Sequence, residues 1–152
     1  MDLVTGAGVA ITVVVPVPRE RMWELITTVE RIGEWSPETI GGGWTGADRF
    51  EGHNRFPDGT ETTAICVVTE RRDGTVFAWD VLDQAGLAGS SWRYELADGG
   101  EPGTTLARQS FRHGPGDTGA RTPDGLGGRL VELCSNMVAT ITAMASTTGA
   151  AR

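Results

Sequence analysis

Val9 to Val15 is a run rich in β-branched residues that stops against Pro16 and Pro18. It predicts a first strand, because branched side chains pack well on a pleated surface and proline ends the ladder. Pro18 then suits the first turn of a helix, where its missing N–H costs nothing. Met22, Leu25, Ile26 and Val29 follow at helical spacing, predicting a helix through about Thr27. A second short helix over about Val29 to Trp35 brings Ile32 and Trp35 to one side and stops at Ser36-Pro37.

From Glu38 to Phe111 the apolar period shifts from about 3.6 to 2. The alternation predicts strands over 38–45, 49–56, 60–71, 75–82, 90–97 and 103–113. Turn residues separate them at Gly46-Ala47-Asp48, Pro57-Asp58-Gly59, Asp73-Gly74 and Ala97-Asp98-Gly99-Gly100, which indicates consecutive antiparallel hairpins. Gly41, Gly42 and Gly43 sit oddly inside a strand and point to a bulge, a bend or close approach by another element. Gly114 to Gly128 holds six glycines and two prolines and reads as a mobile loop. Leu126, Leu130, Leu133, Met137, Ile141 and Met144 then repeat by threes and fours, with Cys134 and Val138 widening the stripe, so a long amphipathic helix is predicted over about Leu126 to Ala145. Thr147 to Arg152 is small and polar and is expected to fray.

Strand, two short helices, six strands and one long helix describe an α+β chain, not an α/β one. A sheet of about seven strands with one apolar face needs a cover, and the last helix is the only element large enough. At 152 residues the chain suits a single domain over 1–152, with a core from about 9 to 146.

Composition narrows the partners. The net charge of −7 disfavours a phosphate backbone or an anionic membrane surface, so neither nucleic acid nor membrane is expected. All 13 basic residues are arginine, which excludes Schiff-base, pyridoxal-phosphate and P-loop lysine chemistry. Cys66 and Cys134 are too few for a disulfide framework and have no histidine placed beside them, so both read as structural thiols. No segment reaches the ~18 apolar residues of a membrane span, and Met1 to Gly8 lacks a basic leader region, so the cytoplasm is the expected location. Two histidines without metal-ligand spacing predict no metal site, and no glycine fingerprint opens a helix for a dinucleotide.

Five stretches carry a resemblance: Gly33 to Glu38 (GEWSPE), Arg49 to Phe56 (RFEGHNRF), Phe77 to Val81 (FAWDV), Ser91 to Leu96 (SWRYEL) and Gln109 to Gly116 (QSFRHGPG). In this order of elements they resemble the SRPBCC superfamily, also called START-like or birch-pollen-allergen-like. Within it the chain is similar to the polyketide cyclase/dehydrase group of actinobacterial proteins. The resemblance implies a helix-grip fold, a curved antiparallel sheet wrapped around the C-terminal helix, enclosing a pocket for an apolar small molecule. It marks fold rather than chemistry, because the superfamily contains cyclases as well as lipid and hormone carriers.

Alternation assigns the pocket wall. Phe50, Gly52, Asn54 and Phe56 share one face, with Glu51, His53 and Arg55 opposite. Phe77, Trp79 and Val81 are expected inward, as are Ser90, Trp92, Tyr94 and Leu96. Thr62, Ala64, Cys66 and Val68 resemble the family's inward positions. In the last strand, Leu106 inward would bring Arg108, Ser110 and Arg112 with it, while a bulge would turn Gln109 and Phe111 inward instead. The two registers remain alternatives.

The ligand-binding candidates are therefore Asn54, Phe56, Trp79, Trp92, Tyr94, Met137 and Ile141, each of which could equally be plain core or a structural hydrogen bond. Arg108, Ser110, His113 and Glu38 are the catalytic candidates. Arg108 and Ser110 would donate to a developing enolate oxygen, and His113 or Glu38 would move a proton. The plainer readings are a surface arginine and a solvated strand-start carboxylate. The first functional reading is a cyclase or dehydratase on a polyketide-like carbonyl substrate, requiring no cofactor. The alternative is a non-catalytic carrier or sensor of an apolar ligand or lipid, and either could work as a monomer or homodimer.

Overall fold

The computed structural model describes residues 2–117 and 123–150. Strand β1 (Gly8–Val15) leads into helix α1 (Arg19–Thr27) and a 3-10 helix over Val29–Glu34. Six strands follow: β2 (Thr39–Trp44), β3 (Arg49–Arg55), β4 (Glu61–Arg72), β5 (Val76–Leu82), β6 (Ala88–Asp98) and β7 (Thr105–His113). The chain closes with helix α2 (Pro123–Ala150). All strands form one antiparallel sheet in the order β1-β7-β6-β5-β4-β3-β2. Successive hairpins therefore run from β2 to β7, and β7 returns to pair with β1. This is the helix-grip fold, α+β in class.

Irregularities bend the sheet. Register shifts fall between Thr39 and Gly41, between Val68 and Glu70, and between Val81 and Leu82, and each extra residue kinks its strand and tightens the local twist. The glycine run in β2 serves both a bulge and a close approach. A Cβ on Gly42 would lie 2.8 Å from the Glu51 carbonyl oxygen and 3.0 Å from that of Val29. From the other side, a Cβ on Gly33 would lie 2.3 Å from the Ile40 carbonyl oxygen. The 3-10 helix thus rests directly on the β2 backbone.

Helix α2 covers the concave face, with Leu133, Met137, Ile141 and Met144 all buried. Their spacing by threes and fours puts them on one side, as the sequence predicts. Val138 departs from that expectation: it is 40% exposed, because its position turns it away from the sheet. The helix also extends past both expected ends. Pro123 is compatible with a first turn, and at the far end the buried Trp35 donates from Nε1 to Thr147 Oγ1 at 2.9 Å, pinning a turn expected to fray. Of the glycine-rich loop, residues 118–122 lie outside the described residues, as do 151 and 152 of the expected frayed end.

The apolar interior consists of two clusters. The larger joins α1, β5 and β6 to the end of α2 through residues such as Met22, Phe77, Tyr94, Ala107, Ile141 and Met144. The smaller holds Phe111, Leu133 and Met137, with Val9, Ile11, Trp92 and Leu130 packed against it.

Candidate functional site

Pairing register builds the inner wall. Trp79 lies opposite Trp92, and Trp92 opposite Phe111; one step along, Phe77 faces Tyr94 and Tyr94 faces Gln109. Residues directly opposite in an antiparallel ladder share a face, so these six side chains form one surface. The Trp79 and Trp92 rings stack with centroids 6.2 Å apart and planes 4° from parallel. Phe111 meets Trp92 edge-on at 4.9 Å, and His113 meets Phe111 edge-on at 4.8 Å. The Trp92 indole donates to Ser90 Oγ at 3.2 Å, which satisfies its N–H inside the wall. Although they face the helix, Trp79, Val81 and Trp92 keep part of their surface accessible, as do Ala64 and Asn54 further along. The helix does not seal this wall. Met137 and Ile141, both buried, form its opposite side.

The register of β7 resolves the alternatives left by its sequence. Pairing with β1 and β6 runs unbroken from Thr105 to His113, so no bulge intervenes. Ala107, Gln109, Phe111 and His113 face inward and are buried. Leu106, Arg108 and Arg112 are exposed on the outer face, where Ser110 is half-buried. Arg108 and Ser110, expected to reach an enolate oxygen in the pocket, are therefore on the wrong side of the sheet to do so. Arg108 instead meets Glu95 at 3.1 Å, within an outer network in which Arg93 bridges Glu95 and Glu70. The physical reason is packing: Leu106, at the strand's end, tolerates solvent better than Phe111 would.

His113 sits on the inner wall, 5% exposed, beside Phe111 and opposite Ser90. His53 points outward, its Nδ1 3.3 Å from Thr63 Oγ1. Burial pushes the Tyr94 phenol well above its ordinary range, an effect only partly offset by the neighbouring Gln109 amide. Tyr94 thus stays protonated and can donate a hydrogen bond, but it cannot serve as a base near neutral pH.

Glu38 lies just before β2, where the Ser36–Glu38 segment meets α2. Arg129 clamps its carboxylate through both terminal nitrogens, at 2.5 and 3.0 Å, and Asn136 donates to the same carboxylate at 3.1 Å. Burial works to raise the Glu38 pKa, but the Arg129 hydrogen bonds and charge outweigh it and hold the carboxyl below its usual range. An ionised carboxylate so engaged is a latch more than a proton carrier. Arg129 also lies over the Phe56 ring, 5.9 Å from its centroid. A cleft of about 450 Å³ opens here, lined by Pro37, Glu38, Ile40, Phe56, Glu132 and Asn136 among others. A second open cleft of about 440 Å³ lies across Ile40 and includes His53, Asn54 and Thr62. The Asn54 amide is engaged by its flanking strands, accepting from Thr39 Oγ1 at 2.8 Å and donating to Thr62 Oγ1 at 3.5 Å.

Sequence reasoning missed Arg129 and Asn136 entirely and left Gln109 undecided. Arg129 and Asn136 are seven residues apart, hence on one side of a helix, and that spacing was the only local signal. Among the described residues no three His, Cys, Asp or Glu side chains converge to hold a metal. No described helix is long and apolar enough to cross a membrane.

A family model described as polyketide cyclase / dehydrase and lipid transport matches residues 7–142. No curated protein matches the chain. Among solved structures, a START superfamily protein from Mycobacterium smegmatis is similar over 97% of this chain and 100% of its own, with a TM-score of 0.76 and 14% identity. A protein from Nitrosomonas europaea is similar over 95% and 97%, with a TM-score of 0.72 and 14% identity. An AHSA1-like protein from Aeromonas hydrophila is similar over 93% and 94%, with a TM-score of 0.66 and 15% identity. At such identities the likeness concerns the fold alone.

Proposed function

The chain belongs to the polyketide cyclase / dehydrase and lipid transport family, and on that premise we propose that it binds an apolar, ring-bearing small molecule between the aromatic wall and helix α2, as a carrier or sensor. Family and fold support a hydrophobic ligand-binding domain. The carrying observation is the inner wall itself: Trp79 and Trp92 present stacked, partly accessible faces beneath the helix. Apolar walls with a few orienting polar groups are the usual make-up of small-molecule sites, and here the polar groups are Ser90, Tyr94, Gln109 and His113. The reading requires no cofactor. The cytoplasm fits it, with Cys66 and Cys134 both free thiols.

Carriage is favoured over catalysis because the expected proton and oxyanion groups are dispersed. Arg108 and Ser110 belong to the outer face, and Glu38 is committed to Arg129. One observation favours the second reading, a cyclase or dehydratase: His113 is an imidazole buried on the inner wall, in the row that holds Gln109 and Phe111. Native mass spectrometry of gently purified protein tests the proposal. A retained apolar molecule, lost on Trp92→Ala, is the expected result. Protein that elutes empty and quenches no tryptophan fluorescence with any aromatic probe would refute the binding reading. Turnover of a polyketide-like carbonyl substrate that disappears in His113→Ala would replace carriage with catalysis.

A further inference from the structure

The backbone of Glu38 is fastened to the sheet. Its carbonyl oxygen accepts from the Arg55 N–H at 2.8 Å, and Ser36 Oγ accepts from the N–H groups of Glu38 and Thr39 at 3.3 and 3.0 Å. The crossing to α2 is made by the carboxylate, which meets Arg129 and Asn136. Arg129 also holds a second carboxylate, Glu132, one turn along its own helix and half-exposed. Arg55, which lines the same cleft, is occupied by Glu61 at 2.8 Å. This crossing stands at the rim of the space between sheet and helix. On the sheet, Phe56 follows Phe50, Gly52 and Asn54 at two-residue spacing, and Phe50 belongs to the larger core cluster. On the helix, Glu132 and Asn136 adjoin the buried Leu133 and Met137. The cleft of about 450 Å³ where they meet has apolar sides in Pro37, Ile40, Phe56 and Pro57.

We propose that Glu38 and Arg129 form a side-chain gate over the space between sheet and helix, which opens when Arg129 keeps Glu132 and releases Glu38. The inference rests on the binding reading above and adds to it a route of entry and its control. The second carboxylate lowers the cost of opening. Breaking a largely buried ion pair is costly when it strands a charge, but Arg129 is not stranded: Glu132 retains it, and the Phe56 ring lies against it. Glu38, anchored through its backbone, need only rotate its side chain toward water, a motion far faster than any displacement of strands. An apolar ligand then passes between proline, isoleucine and phenylalanine surfaces. The gate is shut both before and after that passage, so it governs how fast the ligand enters and leaves, not how tightly it is held.

Stopped-flow fluorescence with N-phenyl-1-naphthylamine, a neutral apolar probe, tests the gate. Glu38→Gln should raise the association and dissociation rates together, each about tenfold, the order for removing one charged hydrogen bond from a barrier. The affinity should stay unchanged. Glu132→Gln should act in the opposite sense and slow both rates, because the open state then leaves Arg129 without a carboxylate. A purely structural tie predicts no such reversal. Arg129→Met should be fast, and adding Glu132→Gln to it should change nothing; this variant also stands in for Glu38→Gln should that one not fold. Rates unaltered in Glu38→Gln, or unaltered or quickened in Glu132→Gln, overturn the gate while leaving binding intact. A faster dissociation alone in Glu38→Gln, with affinity falling in step, assigns the pair to holding the ligand and likewise overturns it. If the wild type does not bind the probe, the binding reading itself fails and takes this inference with it.

Discussion

Arg129 grips Glu38 across 91 residues of chain, through two guanidinium nitrogens at 2.5 and 3.0 Å, and so ties the segment before β2 to helix α2. The side chains are only 22% and 16% exposed. Solvent screening is correspondingly weak, and the pair closes the molecule at the cleft between Phe56 and Asn136.

The Glu38 carboxyl has a depressed folded-state pKa, so its contribution to stability is complete above the unfolded carboxylate value, about 4.3. It is lost as pH falls through the lower folded value. Glu38→Gln is expected to destabilise by about 1–3 kcal/mol near neutral pH. The same variant should flatten the acid limb of the stability profile. Thermal melts of both proteins from neutral pH down into the acid range provide the check; parallel curves would contradict the latch.

Contact between the 3-10 helix and β2 is backbone on backbone, with no side chain available to move aside. Gly33→Ala and Gly42→Ala should each cost about 1–3 kcal/mol, as overpacking does. Gly43→Ala meets nothing within 4 Å and should stay within about 1 kcal/mol of wild type. Urea titrations of the three variants provide the comparison.

Burial pushes the Cys66 thiol up to about 12. Since only the thiolate reacts, Cys66 should resist a disulfide reagent at pH 8 in the native protein. In a Cys134→Ser background the expectation is no reactive thiol before denaturation and one after. Rapid labelling of the native variant would show that this part of the core opens.

Two truncations distinguish the faces of the sheet. Arg108→Ala removes an exposed ion pair with Glu95 and should change stability by no more than about 1 kcal/mol, with no effect on binding of an aromatic probe. Met137→Ala empties a position only 2% exposed on the buried side of helix α2 and should cost about 2–5 kcal/mol. Chemical denaturation and probe fluorescence on both variants test the assignment; a binding defect in Arg108→Ala would return that residue to the site.

Much of the fold was legible because it is written in short-range periods. The shift from Met22/Leu25/Ile26 to the alternation of Phe77/Trp79/Val81, with turn residues between strands, needs no distant information. Elements came out to within a few residues of their bounds. The 3-10 character of Val29–Glu34 and the extra turns of α2 did not, since they depend on contacts such as that between Trp35 and Thr147. The wall was legible where aromatic residues marked the inward phase, in β5 and β6. It was illegible in β7, where Leu106 and Phe111 fall in opposite phases and each argues for a different face.

Local patterning, then, specified the elements, their antiparallel succession and an aromatic face awaiting a helix. Pairing between distant strands settled the rest. Hydrogen bonding to β1 and β6 put Gln109 and His113 inside and Arg108 and Ser110 outside, and folding brought Arg129 onto Glu38. A two-residue period determines which side chains share a face; which of the two faces becomes the interior is chosen by the neighbours that bury it.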